Sequence, residues 1–409
     1  IHIIGFAKVV GDIKDGAVRV ALFFLVAFLI TAVLVYIYSQ SYKLTVVPLI
    51  TSIVAVIWQL GMLPLLYFGL EPMGLLVPFL VFAIGVSHGV QMVSSFRAEL
   101  FNVGTTSEEA SRTSFRRLAV PGFIALASDT IGFLTILLIS IRIIQEMAIG
   151  ASVGVAVIIL TNLVLLPLLT CHIQLDQKFM DRVMKRAKRL DPVWTGLSVV
   201  AERKTAAVIL VITAGLFAFG HWKGSDVKIG DLHEGVPELR PDSRYNLDTA
   251  AITNKFSIGV DLISVIVETG VEGCIDHTKM EAMDRFAWHM RNVEGVQDVI
   301  ALPQVLKVVT AGWNEGYPKW RVLSRNPQVL VQAGARIETS TGLLDEECSA
   351  MPLMMFTADH KAETIQRVVS EVKQYRETFP TEGVEFRLAT GNVGVMAATN
   401  EEVSAAQYP

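Results

Sequence analysis

The sequence predicts a polytopic α-helical membrane protein, with six transmembrane helices and an external α+β domain built from strand–helix–strand passages. Three observations carry this. The chain of 409 residues is 52 % hydrophobic and 18 % charged, and its mean hydropathy is +0.48. Its apolar residues collect in long runs almost free of charge, each near the ~20 residues needed to cross a hydrocarbon core. After Trp222 the composition turns polar and strand-like and helix-like patterns alternate.

The six runs are 18–38, 46–68, 75–95, 119–140, 147–171 and 205–222. Short connectors after the first two make neighbouring helices antiparallel. Orientation follows from the basic residues. Lys43, Arg97, Arg112, Arg116, Arg117 and the run from Lys178 to Lys204 lie on one side. Only Arg142 and, ahead of the first span, Lys8, Lys14 and Arg19 lie on the other. The richer side is expected in the cytoplasm. This gives a five-span bundle in residues 1–175, a basic cytoplasmic linker in 176–204, a further span at 205–222 and an external domain in 223–409, in a plasma or inner membrane. The chain opens IHIIGFAKVV with neither an initiator Met nor a signal-peptide pattern, and is expected to be a fragment of a longer protein.

The third run, LLVPFLVFAIGVSHGVQMVSS, carries Ser87 and His88 near its middle. His88, Gln91 and Ser95 form a polar stripe at helical spacing, while Gly85 and Gly89 are a small-xxx-small pair that lets another helix approach closely. The fourth run has one charge, Asp129, again near the centre, with Gly122, Ala125 and Gly132 on the same face, Gly132 being a further expected helix-packing position. A carboxylate at that depth is costly unless paired, solvated or neutralised. His88 and Asp129 are therefore expected to meet, either as a structural hydrogen bond pinning two helices or as an ion or proton relay that includes Ser87. Gly150 and Gly154 in the fifth run read most simply as helix packing.

Between the third and fourth runs, Thr106-Ser107-Glu108-Glu109 reads as the start of an N-capped surface helix. Residues 176–189, DQKFMDRVMKRAKR, form an amphipathic basic segment, suited either to lying on the inner leaflet or to serving as a charged linker. In the polar part, Val260–Glu268 and Val296–Leu302 are strands flanking a helix at 277–291. Pro352–Thr357 and Val384–Ala389 flank another at 361–378. These are expected to make two small α+β modules; residues 305–344 carry no assignable pattern.

No Walker A or GxGxxG stretch, no metal-ligand spacing and no nucleophile–base constellation occurs. No cofactor, no metal, no enzyme activity and no nucleic-acid partner is therefore expected. His221, His233, His277, His289 and His360 are scattered singly and read as solvated surface residues. Of three cysteines, Cys274 and Cys348 lie in the polar part and are free to pair if it is exported. Trp313, Tyr317, Trp320, Met351, Met354 and Met355 either line a hydrophobic substrate path or belong to the core.

Several stretches together resemble the resistance–nodulation–division (RND) transporter superfamily, in its hydrophobe-exporter, MMPL-like branch. They are Ile84-Gly85-Val86-Ser87-His88-Gly89-Val90-Gln91 leading into Arg97-Ala98-Glu99-Leu100, and Gly104-x-x-Ser107-x-Glu109-Ala110. Ser128-Asp129-Thr130-Ile131-Gly132-Phe133 and Leu165-Leu166-Pro167 follow, with Thr390-Gly391-Asn392-Val393-Gly394 in the outer region. The resemblance implies a sterol-sensing-domain-type bundle, a periplasmic porter domain with ferredoxin-like βαβ modules, and proton-driven export of hydrophobic or lipid-like compounds. It also implies a second homologous half, with a homo-oligomer and a periplasmic adaptor as further partners. Family members commonly place Asp where this chain has Ser87-His88, which leaves His88 and Asp129 as the titratable pair. The alternative is a sterol- or lipid-sensing receptor, or a membrane-anchored partner protein, without a transport cycle.

Overall fold

The computed structural model describes residues 2–69, 74–101, 105–224, 226–227, 229–232, 235–236, 239–256, 261–335 and 337–407. They form two compact units, residues 14–227 and residues 1–13 with 228–409. The helical unit contains most of α1 (Phe6–Ser39), then α2 (Tyr42–Leu65), α3 (Val77–Leu100), α4 (Ser107–Thr135), α5 (Arg142–Leu160) and α6 (Leu166–Thr170). It closes with α7 (Gln177–Ser198) and α8 (Arg203–Gly224). Among the described residues, six helices are long and apolar enough to cross a membrane, and each overlaps one of the predicted runs; three of the runs, 46–68, 119–140 and 147–171, extend past the helix end at Leu65, Leu138 and Thr170.

Two sequence expectations change in detail. Thr106 does cap a helix: its Oγ1 accepts from Glu109 N at 3.2 Å while Glu109 Oε2 accepts from Thr106 N at 3.1 Å. That cap starts α4 itself, which runs unbroken into the apolar stretch, so no separate surface helix exists there. In α7, Phe179 and Val183 are buried among Leu44, Phe96, Ala110, Leu166 and Ile173, so its apolar face docks on the end of the bundle. Burial of the two side chains against protein contributes about 1.5–3 kcal/mol each.

The centre of the bundle is α3 against α2 and α5, and glycine sets its spacing. A Cβ on Gly85 would stand 2.8 Å from Ser52 Oγ, and one on Gly89 would stand 2.7 Å from Pro48 Cβ, both on α2. On α5, a Cβ at Gly154 would collide with Val81, while one at Gly150 would make ordinary contact with Leu63 Cδ2 at 3.4 Å. Gly132 on α4 faces open space, so its expected packing role is not realised. α1 lies at the edge, through Phe24 and Phe28 against Phe82 and through Tyr38 Oη donating to Ser94 Oγ at 2.8 Å. α5 passes into α6 through one π-turn, Thr161–Leu165. Pro167, which has no N–H to give the carbonyl four residues back, stands just after it.

The second unit holds α9 (Arg244–Thr253), β1 (Asp261–Glu268), α10 (His277–Arg291), β2 (Val296–Ile300), α11 (Leu302–Trp313) and α12 (Pro327–Gly334). Then come β3 (Ala350–Thr357), α13 (Ala362–Thr378), β4 (Glu385–Thr390) and α14 (Asn392–Gln407). The two expected modules are one. Strands from both passages interleave in a single sheet of order β2-β3-β1-β4, with every neighbouring pair antiparallel. Ile263, Val265 and Val267 of β1 and Met351, Leu353 and Met355 of β3 turn to one core with Met283 and Phe286 of α10 and Val368 and Val372 of α13. The unassigned stretch supplies α11 and α12. Residues 2–5 also belong here, not with the bundle: Ile3 N donates to Asp248 Oδ2 at 3.2 Å and Gly5 N to Tyr245 Oη at 3.3 Å. Cys274 and Cys348 form a disulfide with a Cα–Cα distance of 5.4 Å, tying the turn before α10 to the approach to β3.

The glycine contacts give a direct test. Gly154→Val is expected to destabilise the folded bundle by about 1–3 kcal/mol through overpacking against Val81 and Gln59, whereas Gly132→Val should stay within about 0.5 kcal/mol. Unfolding midpoints of the two variants in mixed micelles measure the difference.

Candidate functional site

The side chains singled out near mid-span lie where α3, α4 and α5 meet. His88 is half-buried, and its Nδ1 is 3.1 Å from the Ile84 carbonyl one turn back on α3. The ring borders a cavity of ≈ 90 Å³ shared with Gln91, Leu118, Gly122, Ala125 and Asn162. Ser87 precedes it on the exposed side of α3. Asp129 stands on α4 one turn, about 5–6 Å, beyond Ala125, and its side chain is exposed. Among the described residues no hydrogen bond or ion pair joins His88 to Asp129. The expected pairing is thus not made in this conformation. The reason is geometric: α4 buries only Leu126 along this stretch, so Asp129 points along the flank while His88 satisfies Nδ1 on its own helix.

Beside this site lies a polar network that the sequence reading overlooked. Asn162, in the π-turn, donates from Nδ2 to the Gly85 carbonyl at 2.7 Å and accepts at Oδ1 from Thr51 Oγ1 at 3.0 Å. Both side chains are buried, and Asn162 also lines the His88 cavity. Gln59, 1 % exposed, packs its Cγ near Gly154, and its Oε1 has no partner among the described residues. The available signal was a lone amide inside each of two apolar runs, the same kind of anomaly that marked His88 and Asp129.

In the α+β unit the residues weighed for a substrate path or for the core divide between buried and exposed positions. Met351 and Met355 are fully buried in the core, Met354 lies on the other face of β3, and Trp313, Tyr317 and Trp320 are exposed. The histidines also divide. His221 is exposed, His289 faces Glu371 at 3.4 Å, and His233 lies outside the described residues. His277 is held near the Ser324 carbonyl at 3.1 Å.

His360 is no surface residue. It is 5 % exposed, and its Nδ1 lies 3.0 Å from Asp261 Oδ1 at the start of β1. The hydrogen bond to Asp261 raises the His360 pKa above its ordinary value, with burial opposing and the Asp261 charge adding to the rise. Among the described residues no group of three His, Cys, Asp or Glu side chains is arranged to hold a metal ion. Comparisons with protein-family models and with curated proteins find no match to this chain.

The His360 geometry fixes a pH dependence. A histidine whose folded pKa is raised adds stability that is complete below its unfolded value, about 6.5, and is lost as pH rises through the folded value. The thermal unfolding temperature of the α+β unit should therefore fall as pH rises above about 6.5. His360→Gln should flatten that slope and lower stability at pH 6 by about 1–3 kcal/mol.

Proposed function

We propose that this chain is part of an ion-coupled membrane transporter of the RND type, in the hydrophobe-exporter, MMPL-like branch, and that it moves hydrophobic or amphiphilic compounds out of the membrane or cytoplasm. The observation that carries the reading is the group at mid-span: a half-buried imidazole on a small cavity, with an uncovered carboxylate one turn away on the adjoining helix. Ionisable groups at such depth mark ion pathways by default. His88 and Asp129 are the two ionisable side chains of this part of the bundle, and α4, which carries Asp129, also lines the His88 cavity through Leu118, Gly122 and Ala125. The exposed flank carrying Ser87 and Asp129 calls for cover by a further helical bundle, the role that a second half of the same polypeptide would fill.

Two further features support the external placement of the α+β unit. Basic residues crowd the connectors on the opposite side, and a disulfide suits an oxidising compartment. Apart from α11 and α12, which lie between β2 and β3, the β-α-β-β-α-β order with interleaved antiparallel strands agrees with the split βαβ, ferredoxin-like arrangement of a porter module. The basic connectors would then face the cytoplasm of a plasma or inner membrane.

Reconstitution tests the coupling. Asp129→Asn is expected to lower proton-gradient-driven transport by the intact protein in vesicles at least tenfold without changing its thermal stability, and His88→Ala to do the same. Absence of gradient-driven transport by the intact parent protein would favour the lipid-sensing alternative. Topology has its own measurement. Without reductant, Cys274 and Cys348 should resist a membrane-impermeant maleimide in intact cells. After mild reduction both should label, while a cysteine placed at position 185 should remain protected.

A further inference from the structure

A basic groove lies on the face of α10 turned away from the core. Met283, Phe286 and Met290 are buried under the sheet, which leaves Arg285, Trp288 and Arg291 at three-residue spacing on the opposite side. Across from them α11 contributes Gln304 and Lys307, and Arg321 follows the short helical turn Pro318–Trp320. Together with Asp284 these residues enclose about 400 Å³ of open groove. That volume is in the range of small-molecule sites.

The charges are arranged for use. Lys307 is held by Asp284 at 2.5 Å, Arg285 by Glu281 at 2.7 Å, and Arg291 by Asp298 at 3.0 Å. Arg291 also donates from Nη2 to the Val299 carbonyl at 2.6 Å. Each of these contacts fixes a cation while leaving other N–H donors unspent, since a guanidinium carries five and an ammonium three. Arg321 makes no ion pair among the described residues. Four cations against the carboxylates Asp284, Glu281 and Asp298 leave the groove positive. Trp288, 68 % exposed, adds a flat apolar wall between two of the arginines.

We infer that this groove binds an anionic phosphate- or sulfate-type group, with the remainder of the ligand resting on Trp288. Oriented guanidinium and ammonium donors match the tetrahedral oxygens of such a group. The indole suits an acyl chain or ring attached to it. This binding is a property of the folded α+β unit and stands apart from the transport reading, so either can fail alone.

The test uses the full chain in neutral maltoside micelles. Inorganic phosphate, inorganic sulfate and dodecyl phosphate are each titrated while tryptophan fluorescence is followed. Saturable binding of dodecyl phosphate is expected, and Trp288→Phe should remove the fluorescence response. Arg321→Ala and Lys307→Gln should each weaken affinity about five- to tenfold, with unchanged elution and thermal unfolding as the check on folding. Dodecyl phosphate binding more tightly than the inorganic anions, and losing that margin in Trp288→Ala, assigns the groove to an amphiphile headgroup. Equal affinities assign it to a free anion. The proposal is overturned if none of the three probes saturates, or if a well-folded Arg321→Ala variant binds them as the parent chain does.

Discussion

The helical unit depends on how closely α3 can approach α2 and α5. Three glycines, Gly85, Gly89 and Gly154, remove the side chains that would hold the helices apart, and Ser52, Pro48 and Val81 fill the space they leave. Close approach then does chemical work. It brings Asn162 within 2.7 Å of the Gly85 carbonyl and Thr51 within 3.0 Å of Asn162, a bridge across three helices. Such bonds contribute on the order of 1 kcal/mol each in apolar surroundings. Loss of one partner would strand buried polar atoms at greater cost.

The same geometry positions His88. It sits three residues after Gly85 and immediately before Gly89, so the two glycine contacts with α2 fix its height and rotation on α3. The π-turn shifts the register of α5 just before Pro167, and the side chain it redirects is Asn162, which shares the His88 cavity. The cavity that the imidazole borders, ≈ 90 Å³, is large enough to hold water.

Much of this was legible in the sequence for a simple reason: a bilayer-length apolar run is a long, redundant signal, and one polar residue inside it stands out. The six long apolar helices, the isolated polar residues His88 and Asp129, and the close packing at Gly85, Gly89 and Gly154 follow from that. The His88–Asp129 contact did not, because helical spacing gives the face of each residue but not the height at which two helices meet. In the α+β unit the strands and helices of both passages could be read from their periodicity, but their interleaving could not. Pairing depends on which edges come together, and β1 finds both neighbours, β3 and β4, in the other passage. His360 was misread because its partner, Asp261, is distant in sequence, and a single polar residue in polar surroundings carries no mark of burial.

The position of Asp129 has one further consequence. Within its span-length window α4 is hardly buried, and the carboxylate has no protein partner among the described residues. An ionised Asp near the centre of a lipid-facing helix costs about 2.5–3.5 kcal/mol on insertion scales. Cover of the flank by another protein surface removes that cost by supplying polar partners. Since α4 also forms a wall of the His88 cavity, through Leu118, Gly122 and Ala125, a surface packed on that flank would lie against the helix that shapes the surroundings of His88.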